Sequence, residues 1–177
     1  LENAGFVEEW GSVLMAGLKT RTRKYKLADP FLRTHFKFIE PNKKIIQMNT
    51  SSSLVDAIMG DVWDSFFGQA FDWLVYASIE KLLEMLEVPM SDLIQYGPYF
   101  KQGSRGKIKE RGVQIDLILI RKDNAITVVE NKFTKDPVGS YIQDEVQTKV
   151  ECLDFPKNIT IERVLVSASG VTSAVSQ

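Results

Sequence analysis

The chain has 177 residues, 44% of them hydrophobic and 25% charged, with a formal net charge of −1 at pH 7. That length holds one sizeable core plus a small appendage, and the balanced charge excludes a global pull toward polyanions, so any basic surface is local. A single cysteine, Cys152, excludes an intrachain disulfide and a Cys-based zinc cluster.

It is also compatible with a reducing cytoplasm, where we expect the protein. No apolar run is long enough to span a bilayer and no signal peptide is visible, so no membrane partner is expected. The sequence begins at Leu1 without methionine, which reads as a fragment of a longer protein.

Leu1 to Gly5 reads as a helix end closing on glycine. Phe6 to Trp10 reads as a strand, and Lys19 to Leu27 as a polar alternating strand. Its Lys19, Arg21, Arg23, Lys24 and Lys26 suit two readings about equally: a ribbon on phosphates, or a solvated edge strand protected by charge. Asp29-Pro30 starts a helix, with Asp as N-cap and Pro in the first turn. Phe31, Phe36, Phe38 and Ile39 give that helix apolar surface, His35 reads as structural, and Pro41-Asn42 ends it. Thr50 to Ser53 is a polar joint, and the domain boundary is placed there, dividing 1–49 from 50–177.

Residues 54 to 87 are mostly helical. Phe67, Phe71, Leu74, Leu82 and Met85 recur at helical spacing and are expected to face a core, with Gly68, Asp72, Val75 and Ile79 on a neighbouring stripe. Asp72 is a poor helix former in mid-helix, so it is either a rim residue paired with a lysine or part of a site. Pro89 and Gly97-Pro98 bracket a short linker. Lys101 to Gly112 then carries five basic residues against one acid, with three glycines. Either it follows a phosphate backbone through Arg105, Lys107, Lys109 and Arg111, or it is a flexible solvated hairpin.

Gly112 to Phe133 reads as a β-hairpin, two Ile/Leu/Val runs around a Lys122-Asp123-Asn124 turn. Asp116, Glu130 and Lys132 lie toward one end of it. Desolvating unpaired charges is expensive, so three ionisable groups on apolar strands suggest a site. With a two-residue loop, Asp116 faces Asn131 and Glu130 points away. With a three-residue loop and left-handed Asn124, Asp116 pairs with Glu130, and Gln114 with Lys132. The second register is the expected one, because it brings the carboxylates together. Two facing carboxylates repel unless something positive lies between them, and a hard divalent cation, Mg²⁺ above all, fits.

Phe133 to Gly139 reads as a turn, 140 to 155 as a helix with Ile142, Val146, Val150 and Leu153 on one face, and 159 to 166 as a strand. Strand, strand, helix, strand after a first helix is an α/β order.

Asp116, a short hairpin and Glu130-Asn131-Lys132 resemble the core motif of the PD-(D/E)XK nuclease superfamily, with Ile115 where the motif's name places Pro. The longer string GVQIDLILIRKDN…VVENKFTKDP resembles the C-terminal nuclease-like domain attached to a group of bacterial and archaeal AAA-type ATPases. The resemblance implies a restriction-endonuclease-like core, a mixed central sheet flanked by helices, over residues 50–177. Residues 1–49 would then be the C-terminal part of a winged-helix domain with a linker helix, and an ATPase domain would lie upstream. The family's Gly-x-x-Phe-Glu string stands here as Gly68-Gln69-Ala70-Phe71-Asp72, so Asp72 occupies the place of a metal-holding acid. Gln147 stands on the helix where the superfamily sometimes carries a glutamine.

The expected activity is Mg²⁺-dependent hydrolysis of phosphodiesters in DNA, with Mn²⁺ as the alternative ion. Asp116, Glu130 and Asp72 supply hard oxygen ligands and the Asn131 carbonyl completes the shell. Lys132 orients the water or offsets charge on the phosphate, and Gln114 hydrogen-bonds the lysine or a phosphate. Two alternatives stand beside this: a catalytically silent nuclease-like module that binds nucleic acid or a partner, and a winged-helix regulator with an α/β effector domain. The bland reading of the triad is an ion network of Lys132 and Glu130. The chain carries no P-loop.

Overall fold

The computed structural model describes residues 2–13, 24–48, 62–101, 112–153 and 157–175, with 54, 55, 58, 60, 103 and 155. Lys19, Arg21, Arg23, the joint at 50–53, and Arg105, Lys107, Lys109 and Arg111 lie outside these residues.

Strand β1 (Val7–Glu9) pairs antiparallel with β2 (Tyr25–Leu27), and Gly5 turns the chain into β1 with φ +73. Helix α1 (Pro30–Thr34) starts where expected, Asp29 Oδ1 accepting from the Leu32 N–H at 3.0 Å. The expected single helix is broken: a π-helical turn (His35–Ile39) and a 3₁₀ turn (Glu40–Asn42) lead into α2 (Lys43–Met48). Pro41 has no N–H to give the ladder, which explains the change of winding there. His35 stacks on Phe31 and stands 3.4 Å from Glu40, a structural position.

Helices α3 (Val62–Ala77) and α4 (Ile79–Met85) precede a sheet of four strands: β3 (Leu93–Lys101), β4 (Val113–Arg121), β5 (Ala125–Lys132) and β6 (Thr160–Ser167). The order is β3-β4-β5-β6, antiparallel up to β5 and parallel between β5 and β6, with α5 (Tyr141–Glu151) making the crossover. The protein is thus α/β with a mixed sheet flanked by helices.

The sheet is apolar on both faces. Ile115, Ile118, Ile126 and Val128 pack under Ile142, Val146 and Leu153 of the α5 side, while Leu117, Leu119 and Val129 pack under Val75, Ile79, Leu82 and Leu83. Each such side chain contributes roughly 1.5–3 kcal/mol by leaving water. Burial on both faces is why β4 and β5 read as nearly continuous hydrophobic runs.

Two expectations are corrected here. Leu93–Lys101 is the edge strand β3 and not a linker; Gly97-Pro98 is tolerated because the ladder shifts register between Gly97 and Tyr99, and proline suits an edge. On α3 and α4 the sheet is faced by Val75 and Ile79, from the stripe that carries Asp72, and by Leu82 and Phe71 as expected, whereas Leu74 is 56% and Met85 72% exposed. The helix breaks at Ser78, which disrupts the period that linked Leu74 to Met85. The aromatic start of α3 forms a separate cluster, with Phe38 against Phe66 and Phe67 against Phe133.

The β1–β2 ribbon is joined to this unit. The Val13 N–H donates to the Pro98 carbonyl at 2.8 Å and Ser12 Oγ accepts from the Phe100 N–H at 3.1 Å. Trp10 meets Tyr76 edge-on at 4.5 Å, and Trp73 Nε1 donates to Glu8 at 3.3 Å.

Candidate functional site: three acids around Asn131

The β4–β5 turn has the expected three-residue form. Asn124 is left-handed at φ 60, and pairs run from Ile120–Ile126 to Leu117–Val129. The pairing ends at Leu117–Val129, one step short of the expected Asp116–Glu130 pair. At this point β4 is irregular: Gly97 and Tyr99 of β3 face Ile118 and Ile115, so β4 carries one extra residue between them. Ile115 and Ile118 consequently pack on the same face, and Asp116 lies in the irregularity. Such an extra residue re-aims the side chain beside it. Asp116 Oδ2 accepts the backbone N–H of Asn131 at 2.9 Å.

Along β5 the faces alternate. Asn131 follows Val129 toward α3, where its Nδ2 donates to Asp72 Oδ1 at 3.2 Å. The Oδ1 of Asn131 is buried with no hydrogen-bond partner among the described residues. Glu130 follows Val128 toward α5 and is only 2% exposed. Both its oxygens accept from Lys149 at 2.6 Å, Lys132 stands 3.1 Å away, and Glu145 holds Lys132 at 2.9 Å and Lys149 at 3.4 Å. Two acids and two ammoniums therefore close into a neutral network, as buried charges require.

The acids on the α3 side lack such compensation. Burial and then the charge of Asp116 push the Asp72 carboxyl up to about 7. Burial and Asp116 likewise raise Glu130, with Lys149 and Lys132 opposing. Burial would lower Lys132, but its bonds to Glu145 and Glu130 outweigh this and raise it. Burial alone would raise Glu145, but Lys132 and Lys149 hold it below the usual range.

The structure thus gathers Asp72, Asp116, Glu130, Asn131 and Lys132 at one end of the hairpin. Asn131 contributes its N–H and side chain there, beyond the carbonyl expected from the sequence. Gln114 is exposed and lines the clefts on both sides of β4. Gln147 is not brought in: it donates to Glu151 and accepts from Arg163, both at 2.8 Å, on the outer side of α5. Its place is taken by Glu145 and Lys149, which the sequence reading missed. They flank the Ile142–Val146 stripe at i, i+4 spacing, the one signal that marked them as inward.

As a metal site the donors fit in chemistry more than in assembly. Among the described residues Asp72 and Asp116 are hard oxygen donors without an ion-pair partner, beside the unpartnered buried Oδ1 of Asn131, whereas Glu130 is saturated by ammoniums. Among the described residues no group of three His, Cys, Asp or Glu side chains stands ready to hold an ion. Mg²⁺ is commonly held by one or two carboxylates with water and substrate phosphate, so a two-carboxylate site remains a workable one.

No helix among the described residues is long and apolar enough to cross a membrane. No curated protein and no solved structure matches the chain. Residues 35–149, from the π-helical turn to Lys149 of the ion network, match one family across about two thirds of the sequence. The chain belongs to DUF234, a family of archaeal and bacterial proteins of unknown function.

Proposed function

We propose that this chain is a metal-dependent nuclease domain of PD-(D/E)XK type, with a restriction-endonuclease-like core, that hydrolyses phosphodiester bonds in DNA and works beside an ATPase domain. The observation that carries the reading is the meeting of Asp116 from β4 with Asp72 from α3 at Asn131, the residue between a buried Glu130 and Lys132. Helix, three antiparallel strands, crossover helix and parallel strand are the order such a core uses, which supports it.

Asp72 and Asp116 would hold Mg²⁺ or Mn²⁺, with Glu130 joining when Lys149 releases it. When bound, the ion supplies charge neutralisation at the phosphate and acidifies water near it. Lys132, kept protonated by Glu145 and Glu130, donates to a phosphate oxygen and offsets charge as the phosphorus becomes five-coordinate. Asn131 fixes the spacing of the two aspartates through its two N–H donors. Glu145 and Lys149 hold the Glu130 carboxylate and the Lys132 ammonium in place.

Nicking of supercoiled plasmid DNA with Mg²⁺ or Mn²⁺ tests the reading. Cleavage is expected, and Lys132→Ala, Glu130→Ala and Asp116→Asn each abolish it. A parent protein that leaves the plasmid intact with both ions removes the hydrolase reading. A second reading is favoured by one observation: the Lys149 ammonium on both Glu130 oxygens makes that acid look structurally satisfied. The chain would then be a silent nuclease-like module that binds nucleic acid or a partner, and plasmid binding without nicking is its signature.

A further inference from the structure

We propose that the cleft between the β1–β2 ribbon and α3 receives one single strand of nucleic acid and delivers a phosphodiester to Asp72 and Asp116. The inference rests on the nuclease reading for what happens at the acids, but its binding geometry is separate.

One cleft, with a volume of about 440 Å³, is lined by Asp72 and Asp116 together with Lys24, Tyr25 and Arg33. The ribbon therefore belongs to the same concavity as the candidate chemistry. Its cations have different duties. Lys26 lies inward: its ammonium stands 3.2 Å from Glu8 and 3.5 Å from the Trp10 ring on its own ribbon, and 5.1 Å from the Trp73 ring of α3. Lys24 lies over Phe100 at 3.4 Å, with no acid against it among the described residues, and faces the cleft. Arg33 lies over the Trp73 ring at 4.6 Å, and its Nε is buried without a hydrogen-bond partner among the described residues. A buried donor left unpaired costs stability unless a ligand satisfies it.

The choice of ligand follows from shape and charge. Two cations and two carboxylates lining one cleft suit a ligand that is anionic and meets the acids through an ion or water. Tyr25 is 54% exposed and offers a ring face, and basic grooves with aromatic platforms are how single strands are held, through phosphates and stacked bases. A cavity at the low end of the 300–1,000 Å³ range takes about one small ligand, on the order of one nucleotide. Duplex DNA, whose major groove alone is about 12 Å wide, is too broad to enter.

The test is fluorescence anisotropy in EDTA, where cleavage is silenced. Mixed-sequence single-stranded DNA and RNA of about 12 nucleotides are compared with the matching duplex. At least one single strand is expected to bind about tenfold more tightly than the duplex. Lys24→Ala should weaken that binding about tenfold and flatten the slope of log K against log salt by about 0.7, one phosphate contact. Tyr25→Ala should weaken binding without changing the slope, while Lys122→Ala at the β4–β5 turn changes neither. Equal affinity for duplex, or Lys24→Ala binding like the parent, overturns the cleft. Single-strand binding that depends on Lys24, with no cleavage once Mg²⁺ or Mn²⁺ is added, leaves the cleft standing and removes the nuclease. Cleavage that Lys24→Ala and Tyr25→Ala leave untouched does the reverse.

Discussion

The side-chain amide of Asn131 donates to Asp72 at 3.2 Å, and the same residue's backbone N–H donates to Asp116 at 2.9 Å. One residue between Glu130 and Lys132 thus ties two carboxylates that have no ion-pair partner among the described residues. Such an arrangement is held together against its own electrostatics, at a cost in stability.

Asp72 makes that cost measurable. Its carboxyl is raised to about 7 in the folded chain, above its value when unfolded, first by burial and then by Asp116. The folded state therefore binds the proton more tightly, and stability falls as pH rises from the unfolded value through about 7. Asp72→Asn, which keeps an acceptor and removes the charge, is expected to raise Tm at pH 8 in EDTA and to raise it clearly less at pH 5. A Tm difference that does not change with pH would contradict the raised carboxyl.

The Glu130–Lys149 pair gives a second expectation. Lys149→Met leaves a buried carboxylate with only Lys132 beside it, and breaking a buried pair from one side costs about 3 kcal/mol. Glu130→Gln in the same chain removes the stranded charge and should recover most of that loss. Urea denaturation of the parent, both single variants and the double variant gives the coupling energy. A coupling near zero would show that the pair contributes little to the fold.

How much of this was legible in the residues differs from part to part. The hairpin register was chosen because only the three-residue loop brings the carboxylates together, and Asn124 does take the left-handed conformation that loop needs. The α5 face and β6 were legible from period alone. Strand β3 was hidden by Gly97-Pro98, since the features that let a chain break are the same ones an edge strand tolerates. The buried side of α3 and α4 was legible in part: Leu82 and Phe71 pack toward the sheet as expected, while Leu74 and Met85 are exposed, since only the sheet decides which side is covered. Glu145 and Lys149 were hidden for another reason: charges on a helix rim read as solvated until a buried acid is found facing them.

Asn124 tests the turn directly. A left-handed residue other than glycine or asparagine costs roughly 1 kcal/mol or more. Asn124→Ala is therefore expected to lose about 1 kcal/mol in urea denaturation, and Asn124→Gly to stay within a few tenths of the parent. Asn124→Val should be worse than alanine, since a branched side chain fits that conformation least. If all three lose equally, the side-chain amide matters more than the backbone conformation.

Gly97 tests whether the β1–β2 ribbon depends on β3. A Cβ at this position would stand 2.9 Å from Val13 Cγ2, closer than side chains approach, and Val13 is buried beneath it. Gly97→Ala should push the Gly11–Val13 segment off the edge strand, weakening the Val13 N–H bond to the Pro98 carbonyl. Overpacking of this kind costs about 1–3 kcal/mol. Because the four-stranded sheet has its own two cores, the loss should concentrate in the ribbon. Hydrogen exchange is expected to speed up at residues 7–13 and 25–27, while Leu117–Leu119 and Val128–Val129 stay protected. Faster exchange across the whole sheet would show that the ribbon and the sheet unfold as one unit.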